Sequence, residues 1–151
     1  MQLTRAADYA VRVMIHLAGL PPDARVSRSE LSAAAECPEQ FLSKVLQNLT
    51  RAGLIVSRRG NTGGFELDAR HRDASLLEVV EAIEGPIRLN LCLNSDHSCS
   101  RQGWCPAHLV WAKAQKAMVE VLGATTIGEL ARSADDTRQK GPVTIEELPW
   151  N

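Results

Sequence analysis

Aromatic residues are scarce in this chain: two Phe, one Tyr and three Trp make up 4% of its 151 residues. Its core must therefore be built mainly from aliphatic side chains. Long apolar runs are also missing, because Arg5, Asp8 and Arg12 interrupt the first apolar stretch. Neither a secretory signal nor a membrane span is predicted. We expect a cytoplasmic protein without membrane contact, built as one domain or one small domain with an extension.

Several patterns typical of enzymes and zinc proteins are absent as well. The chain has no C-x-x-C motif, which zinc knuckles and thioredoxin-like oxidoreductases use. No Gly-Lys-Ser/Thr follows its glycine-rich stretch, as it would in a phosphate-binding loop. No carboxylate pair or nucleophile–base arrangement is evident, so we predict no catalytic residues and a protein that is not an enzyme. A thiol oxidoreductase is kept only as a minor alternative.

The net charge of −1 conceals an asymmetry between the two halves. Residues 1–72 hold ten Lys/Arg and seven Asp/Glu, which gives +3, and residues 73–151 hold seven and eleven, which gives −4. A basic N-terminal half is compatible with nucleic-acid binding. By itself, this asymmetry is explained more simply by ordinary solvated surface charge.

Two helix signals open the N-terminal half. Apolar residues at helical spacing predict a first helix that ends near Gly19. Ser27 and Glu30 then have the spacing of a capping box, which predicts a short second helix over residues 27–35.

The third predicted helix has the pattern of a recognition helix. Pro38 suits its first position, and Gly53 suits its C-terminal cap. Its predicted buried face consists of Phe41, Leu42, Val45, Leu46 and Leu49. Two short helices joined by a tight turn, the second with polar residues facing outward, indicate a helix-turn-helix.

A hairpin with a basic, glycine-rich tip is predicted next, from alternating strand patterns in residues 54–59 and 65–67. After a helix-turn-helix such a hairpin is a wing, and Arg59 near its tip suits a narrow minor groove. We expect Lys44 and Arg58 to contact phosphates and Gln40, Ser43 and Gln47 to read base edges. The residues predicted to contact a double-stranded DNA operator are Ser27, Arg28, Gln40, Ser43, Lys44, Gln47, Arg58, Arg59, Asn61 and Thr62.

Residues 1–72 are thus predicted to form a winged helix-turn-helix domain, and residues 73–133 a second unit with a long helix from Pro106 to about Leu122. Apart from a narrow polar stripe, that helix is apolar all round, so it must be buried on more than one side. The same helix of a second copy is its simplest partner, which predicts a homodimer. A central helix wrapped by its own domain is the alternative. Residues 134–151 are predicted to be a flexible tail. The expected fold class is mainly α.

Three of the four cysteines and two histidines lie close together in the sequence: Cys92, His97, Cys99, Cys105 and His108. Their wide spacing in a polar segment suits an iron–sulfur cluster better than a single ion, although a zinc site or a thiol switch remains open. Cys105 is expected near the N-cap of the long helix, whose positive end favours an anionic ligand. His108 lies on the same face. His97 is a second candidate for a nitrogen ligand, although a solvated histidine is the favoured interpretation, and Cys37 is interpreted as a buried packing residue.

Three stretches occur together in a specific order: MQLTRAADYAVR, LSKVLQNLTRAGLIVSRRGNTGGFEL and C…C…CPAHLVW. Over about residues 1–133 the chain resembles the winged-helix iron–sulfur regulators. This family includes the iron–sulfur cluster biosynthesis repressor (IscR) and the nitric-oxide-sensing repressor (NsrR). The resemblance implies a homodimeric bacterial transcription factor whose cluster state alters its affinity for DNA. We favour a repressor and leave an activator as the alternative.

By this resemblance the three clustered cysteines are cluster thiolates, and Arg59 is the family's wing arginine. The fourth ligand stays open. His108 matches the IscR-like pattern of a 2Fe–2S cluster, and Asp8 matches the NsrR-like pattern, in which an aspartate of the second subunit completes a 4Fe–4S cluster. The first gap between cysteines, six residues, is longer than the family's usual four or five. We favour His108 with a 2Fe–2S cluster.

Overall fold

The computed structural model describes residues 3–60, 63–94 and 99–141, without the side chains of residues 135 and 138–140. The helices are α1 (Arg5–Ala18), α2 (Arg28–Ala35), α3 (Glu39–Arg51), α4 (Leu76–Glu84), α5 (Pro106–Ala124) and α6 (Ile127–Lys140). The strands are β1 (Ile55–Arg58) and β2 (Gly64–Leu67), and short 3-10 helices lie at Ala69–His71 and Leu91–Leu93. The order of two short helices and a hairpin after α1 is that of a winged helix-turn-helix, which confirms the predicted fold class.

Capping boxes mark where three of these helices begin. Ser27, Ser75 and Thr126 each accept a hydrogen bond from the backbone N–H of the glutamate three residues on, at the starts of α2, α4 and α6. The side chain of that glutamate in turn accepts a hydrogen bond from the cap residue's own N–H, as in a capping box. These hydrogen bonds hold the pKa of each glutamate below its ordinary value.

The ends of α3 follow the sequence signals closely. Pro38 occupies the N-cap, so α3 begins at Glu39, one residue later than predicted. After α3, Gly53 has a φ of 77°, in the left-handed region that favours glycine. The N–H of Leu54 then donates to the carbonyl of Leu49 at 3.0 Å, so the chain folds back over the last turn before it enters β1.

The hairpin is tied to the start of the helix-turn-helix. β1 and β2 are antiparallel, and Val26, just before α2, pairs with Phe65 through backbone hydrogen bonds of 3.0 and 2.8 Å. A Cβ at the neighbouring Gly64 would lie 2.8 Å from the carbonyl oxygen of Val26, so the close approach requires glycine there. The wing is therefore anchored to the backbone that leads into α2.

α1 lies at the centre of the fold and packs against α2, α3, α4 and α6. The large, fully buried side chains include Met14, Leu31, Leu42, Leu46, Leu49, Ile55, Val79 and Ile127. All of them are non-aromatic, as the composition predicted. Val79 and Ile127 belong to the same hydrophobic cluster as the winged helix, so α4 and α6 share one core with the first 72 residues.

Phe41 does not belong to the buried face of α3, contrary to the prediction. Its side chain is 58% exposed, whereas Leu42, Leu46 and Leu49 are buried. Each residue of an α-helix is rotated by about 100° from the one before it, which places Phe41 outside the buried stripe of Leu42, Val45, Leu46 and Leu49. The aliphatic stripe takes the inner position and leaves the ring on the outer side of the helix.

α6 is longer than expected. It extends to Lys140, although the flexible tail was predicted to begin at residue 134. The polar composition of this stretch indicates exposure to solvent, but Ala, Arg, Gln and Lys are all good helix formers, so exposure does not exclude a helix. Residues 142–151, including Trp150, lie outside the described residues.

Candidate functional site

The outer side of α3 and the wing together form a groove of about 510 Å³. Its lining consists of Arg28, Ser43, Leu46, Gln47, Thr50, Arg51, Ser57, Arg59 and Phe65. Three arginines contribute to it, and no acidic residue does among the described part of the chain. Such a groove attracts a polyanion, and its hydroxyl and amide groups offer hydrogen bonds to base edges.

Four of the predicted DNA-contact residues meet in this groove: Arg28, Ser43, Gln47 and Arg59. Gln40 and Lys44 are exposed on α3 but do not line it. The hydroxyl of Ser27 serves as the cap of α2, accepting from the Glu30 N–H at 3.2 Å. Asn61 and Thr62 lie outside the described residues.

Arg51, Thr50 and Ser57 are groove residues that sequence reasoning missed. A signal for Arg51 was present, since Ser43, Gln47 and Arg51 follow one another at four-residue intervals and so share one face of α3. Ser57 is brought to the groove by the fold-back of β1, which no local pattern reveals.

The two neighbouring wing arginines differ in their partners. Arg59 is exposed and makes no ion pair within the described ranges. Arg58 donates from Nε to Oε1 of Glu66 at 2.9 Å, and Arg25 donates from Nε to Oε2 of the same carboxylate at 3.0 Å. These bonds, from Arg25 first and then Arg58, hold the pKa of Glu66 below its ordinary value. Glu66 is the buried charged residue of the described chain, at 8% exposure.

The cysteine segment leads from α4 to α5. Cys92 lies half-buried in the 3-10 helix Leu91–Leu93, which packs against α5. Cys99 is exposed, and Cys105 is the half-buried N-cap of α5, as predicted. All three are free thiols. Residues 95–98, which include His97, lie outside the described residues.

The donors of this segment fit a thiolate-bound cluster by their chemistry. The Nδ1 atom of His108 is buried and has no hydrogen-bond partner in the described structure, which suits a nitrogen ligand. Cys105 makes no side-chain capping hydrogen bond, so its sulfur is uncommitted. Within residues 3–60, 63–94 and 99–141, however, no three His, Cys, Asp or Glu side chains are already arranged to hold a metal ion. The donor set is therefore suitable but not assembled around one point.

Asp8 and Cys37 have other partners. Asp8 is exposed in the first turn of α1 and pairs with Arg12 at 2.9 Å. The Cys37 thiol is buried and donates to the carbonyl of Pro38 at 3.6 Å, and burial raises its pKa. A buried thiol with a raised pKa is a poor ligand and nucleophile, in keeping with the packing role predicted for it.

α5 carries an exposed apolar seam. Its exposed large side chains include Leu109 at 66%, Val110 at 60%, Trp111 at 43% and Val121 at 66%. Val110, Ala114, Ala117 and Val121 are all exposed and recur at spacings of four, three and four, the pattern of a helix–helix seam. Despite these apolar residues, neither α5 nor another helix of the described chain is long and apolar enough to cross a membrane.

A family model for Rrf2, described as an iron-dependent transcriptional regulator, matches residues 3–133. The chain belongs to the Rrf2 family. It is therefore a transcriptional regulator, and membership confirms the prediction that it is not an enzyme. The DNA binding that the groove suggests is also what this family's role implies.

Individual relatives agree with this assignment. Protein aau3 of Rhizobium meliloti is 33% identical over 135 residues, covering 88% of this chain and 86% of the relative. The HTH-type transcriptional regulator NsrR of Geobacillus kaustophilus is 30% identical over 131 residues, covering 86% and 89%. The solved structure of T. potens IscR has a TM-score of 0.72 at 22% identity, covering 98% and 97%, and this likeness concerns the fold. The resemblance to IscR and NsrR is confirmed.

Proposed function

We propose that this Rrf2 protein is a homodimeric regulator that acts on DNA in the cytoplasm under the control of an iron–sulfur cluster. Of the two modes of regulation, we favour repression. The observation that carries the DNA-binding part is the groove between α3 and the wing, with three arginines and no acidic lining residue among those described. The cluster part is supported by the free thiols, the unpartnered His108 nitrogen and the iron dependence named in the family description.

In this proposal α3 enters the major groove of DNA and the wing lies over the adjacent minor groove. Ser43 and Gln47 face the groove and read base edges, while Arg51 and Lys44 contact phosphates. Arg59, exposed beyond the hairpin's last pair, reaches the minor groove. Two copies present two such surfaces to successive half-sites.

Cys92, Cys99 and Cys105 would hold the cluster, with His108 as the favoured fourth ligand. When bound, the cluster supplies a redox-active group whose loss or oxidation changes the charge and order of residues 92–108. Asp8 of the second subunit stays the alternative ligand, with a 4Fe–4S cluster. His108 is the simpler choice because its buried Nδ1 has no partner in the described structure, whereas Asp8 would exchange an exposed pair with Arg12 for the cluster.

A chain of contacts links the cysteine segment to the helix-turn-helix. At the end of α4, Glu84 accepts a hydrogen bond from the N–H of Thr4 at 3.1 Å, where α1 begins. Further along α1, Arg12 donates to the carbonyl of Ala35 at 3.4 Å, at the end of α2. A change in the segment that follows α4 can therefore reach the turn before α3 through α1, which is the route we propose for regulation.

Anaerobic purification tests the cluster proposal directly. We expect a coloured protein with iron and acid-labile sulfide in equal amounts, because three widely spaced thiols and a histidine match the ligand set of a cluster and the family is described as iron-dependent. Absorption spectra and iron, sulfide and zinc counts provide the measurement. A colourless protein with one zinc per chain and no sulfide would instead establish the zinc-site alternative.

Arg59→Ala should weaken binding to a preferred duplex by about 1–3 kcal/mol while the protein stays folded and dimeric. The reason is that Arg59 has no ion pair within the described chain, so its charge is available to DNA. Fluorescence anisotropy with a duplex selected from a random library measures the effect. Arg132→Ala, which removes an arginine from α6, is the matched control and should bind as the parent does. Equal affinity for Arg59→Ala and the parent would remove the wing from the interface.

A further inference from the structure

A single carboxylate connects the wing to the start of the helix-turn-helix. Glu66 lies on β2, and its two oxygens accept from Arg25, just before α2, and from Arg58, at the end of β1. Both arginine side chains are about half exposed, at 45% and 55%, whereas the Glu66 side chain is 11% exposed. The carboxylate is thus held beneath two cations that belong to different segments of the chain.

The position of this carboxylate is unusual for a DNA-binding surface. Because DNA is a polyanion, an acid next to the wing lowers the general attraction between protein and DNA. A nearly buried carboxylate also costs free energy unless it is well paired. Here both oxygens are paired at 3.0 Å or less, and the backbone beside them is fixed by the pairing of Val26 with Phe65. These contacts fix the geometry of the wing rather than add positive charge.

The bonded atoms explain how an arginine can serve both roles. Arg58 uses its Nε–H for Glu66, and a guanidinium has five N–H donors in a rigid plane. Its other donors remain able to meet a phosphate from a plane that Glu66 orients. Arg59 is the next residue along the chain and lines the groove, so the contact between Arg58 and Glu66 also sets where Arg59 leaves the hairpin.

We infer that Glu66 is a positioning residue for DNA recognition: by clamping Arg25 and Arg58 it sets the wing against α2 and so fixes where Arg58 and Arg59 meet the DNA. This inference rests on the proposed DNA interface. It adds that the preference for one DNA sequence depends on Glu66, a carboxylate that lowers the affinity for DNA in general. A residue that merely attracts DNA changes binding to all sequences alike. The clamp instead predicts opposite changes for preferred and arbitrary duplexes.

Two variants of the full-length protein separate geometry from charge. Glu66→Gln keeps the size of the side chain but removes its charge, and Glu66→Asp keeps the charge but is too short to reach both arginines. The probes are a duplex selected by the parent protein from a random library and a shuffled duplex of the same composition. Glu36→Gln is the control, since Glu36 is an exposed carboxylate, away from the wing, that pairs with Arg12. Affinities are measured over a range of salt concentrations, and thermal melting confirms folding.

For Glu66→Gln we expect the preference for the selected duplex to fall about tenfold, the loss expected for one misplaced arginine contact. Binding to the shuffled duplex should rise, with a salt slope steeper by about one, because the surface beside the DNA loses one negative charge. Glu66→Asp should lose the same preference without that rise, and Glu36→Gln should keep the parent's ratio. An unchanged ratio in both folded Glu66 variants would overturn the inference and leave the DNA interface standing. A parent protein that does not discriminate between the duplexes would overturn the proposed interface itself.

Discussion

Replacing Cys92, Cys99 or Cys105 by alanine is expected to abolish the iron–sulfur cluster, whereas Cys37→Ala should leave it intact. The three thiols lie in the segment that joins α4 to α5, and each is free and at least partly exposed. Thiolates carry most of the bond energy and charge balance of such a cluster, so the loss of one leaves iron open to solvent. Cys37 is buried in the core, where its raised pKa opposes thiolate formation.

The measurement is the visible absorption spectrum with iron and sulfide counts on anaerobically purified protein. We expect these substitutions to leave the fold intact, since Cys99 is exposed and Cys105 makes no side-chain capping bond that alanine would remove. We expect the three variants to show one common affinity for DNA that no longer responds to oxidation. A variant that retains full iron and sulfide would exclude its cysteine from the ligand set.

The fourth ligand can be resolved in the same experiment. His108→Ala should alter the spectrum or lose the cluster, because the buried Nδ1 of His108 has no other partner in the described structure. Asp8→Ala should leave the spectrum unchanged, because with His108 as the fourth ligand Asp8 forms only an exposed surface pair with Arg12. The reverse result would favour the 4Fe–4S alternative.

Local signals in the sequence predicted most of the winged helix. A capping box involves residues three apart, and a glycine that ends a helix acts on its own turn, so Ser27 and Gly53 could be interpreted without knowing the fold. The helical phase at Phe41 was harder. Phe41 lies next to the apolar stripe of α3, and the helical period alone does not decide whether a residue at the edge of that stripe is buried or exposed. That depends on how far the neighbouring helices cover α3.

Long-range pairs were beyond the reach of such patterns. Glu66 pairs with Arg25, 41 positions away, and the bridge between the neighbouring residues Val26 and Phe65 brings them together. Arg51 reaches the same groove as Arg59 because β1 folds back across α3. The cysteine segment is the opposite case: its residue types indicate the chemistry clearly, while the described structure does not assemble the donors. A bound cluster would itself supply the free energy to gather them.

The second large effect concerns the seam of α5. The double substitution Val110→Glu with Val121→Glu should convert the protein to a monomer. The two valines are 60% and 66% exposed in the single chain and lie on one face of the helix with Ala114 and Ala117. The small alanines allow a second helix to approach closely, and burying carboxylates in that interface would cost several kcal/mol. Analytical ultracentrifugation measures the change in mass.

Lys116→Glu is the control, because Lys116 lies on the same helix away from the seam, with a side chain 77% exposed that pairs with Glu120 at 3.6 Å. Its loss removes only a weak surface pair, so the dimer should persist. The monomeric variant should also bind a two-half-site duplex at least about a hundredfold more weakly, because one recognition helix then acts alone. If the double variant remains a dimer, the second copy does not lie on α5. In that case the apolar seam must be covered by another part of the chain, which was the alternative that the sequence left open.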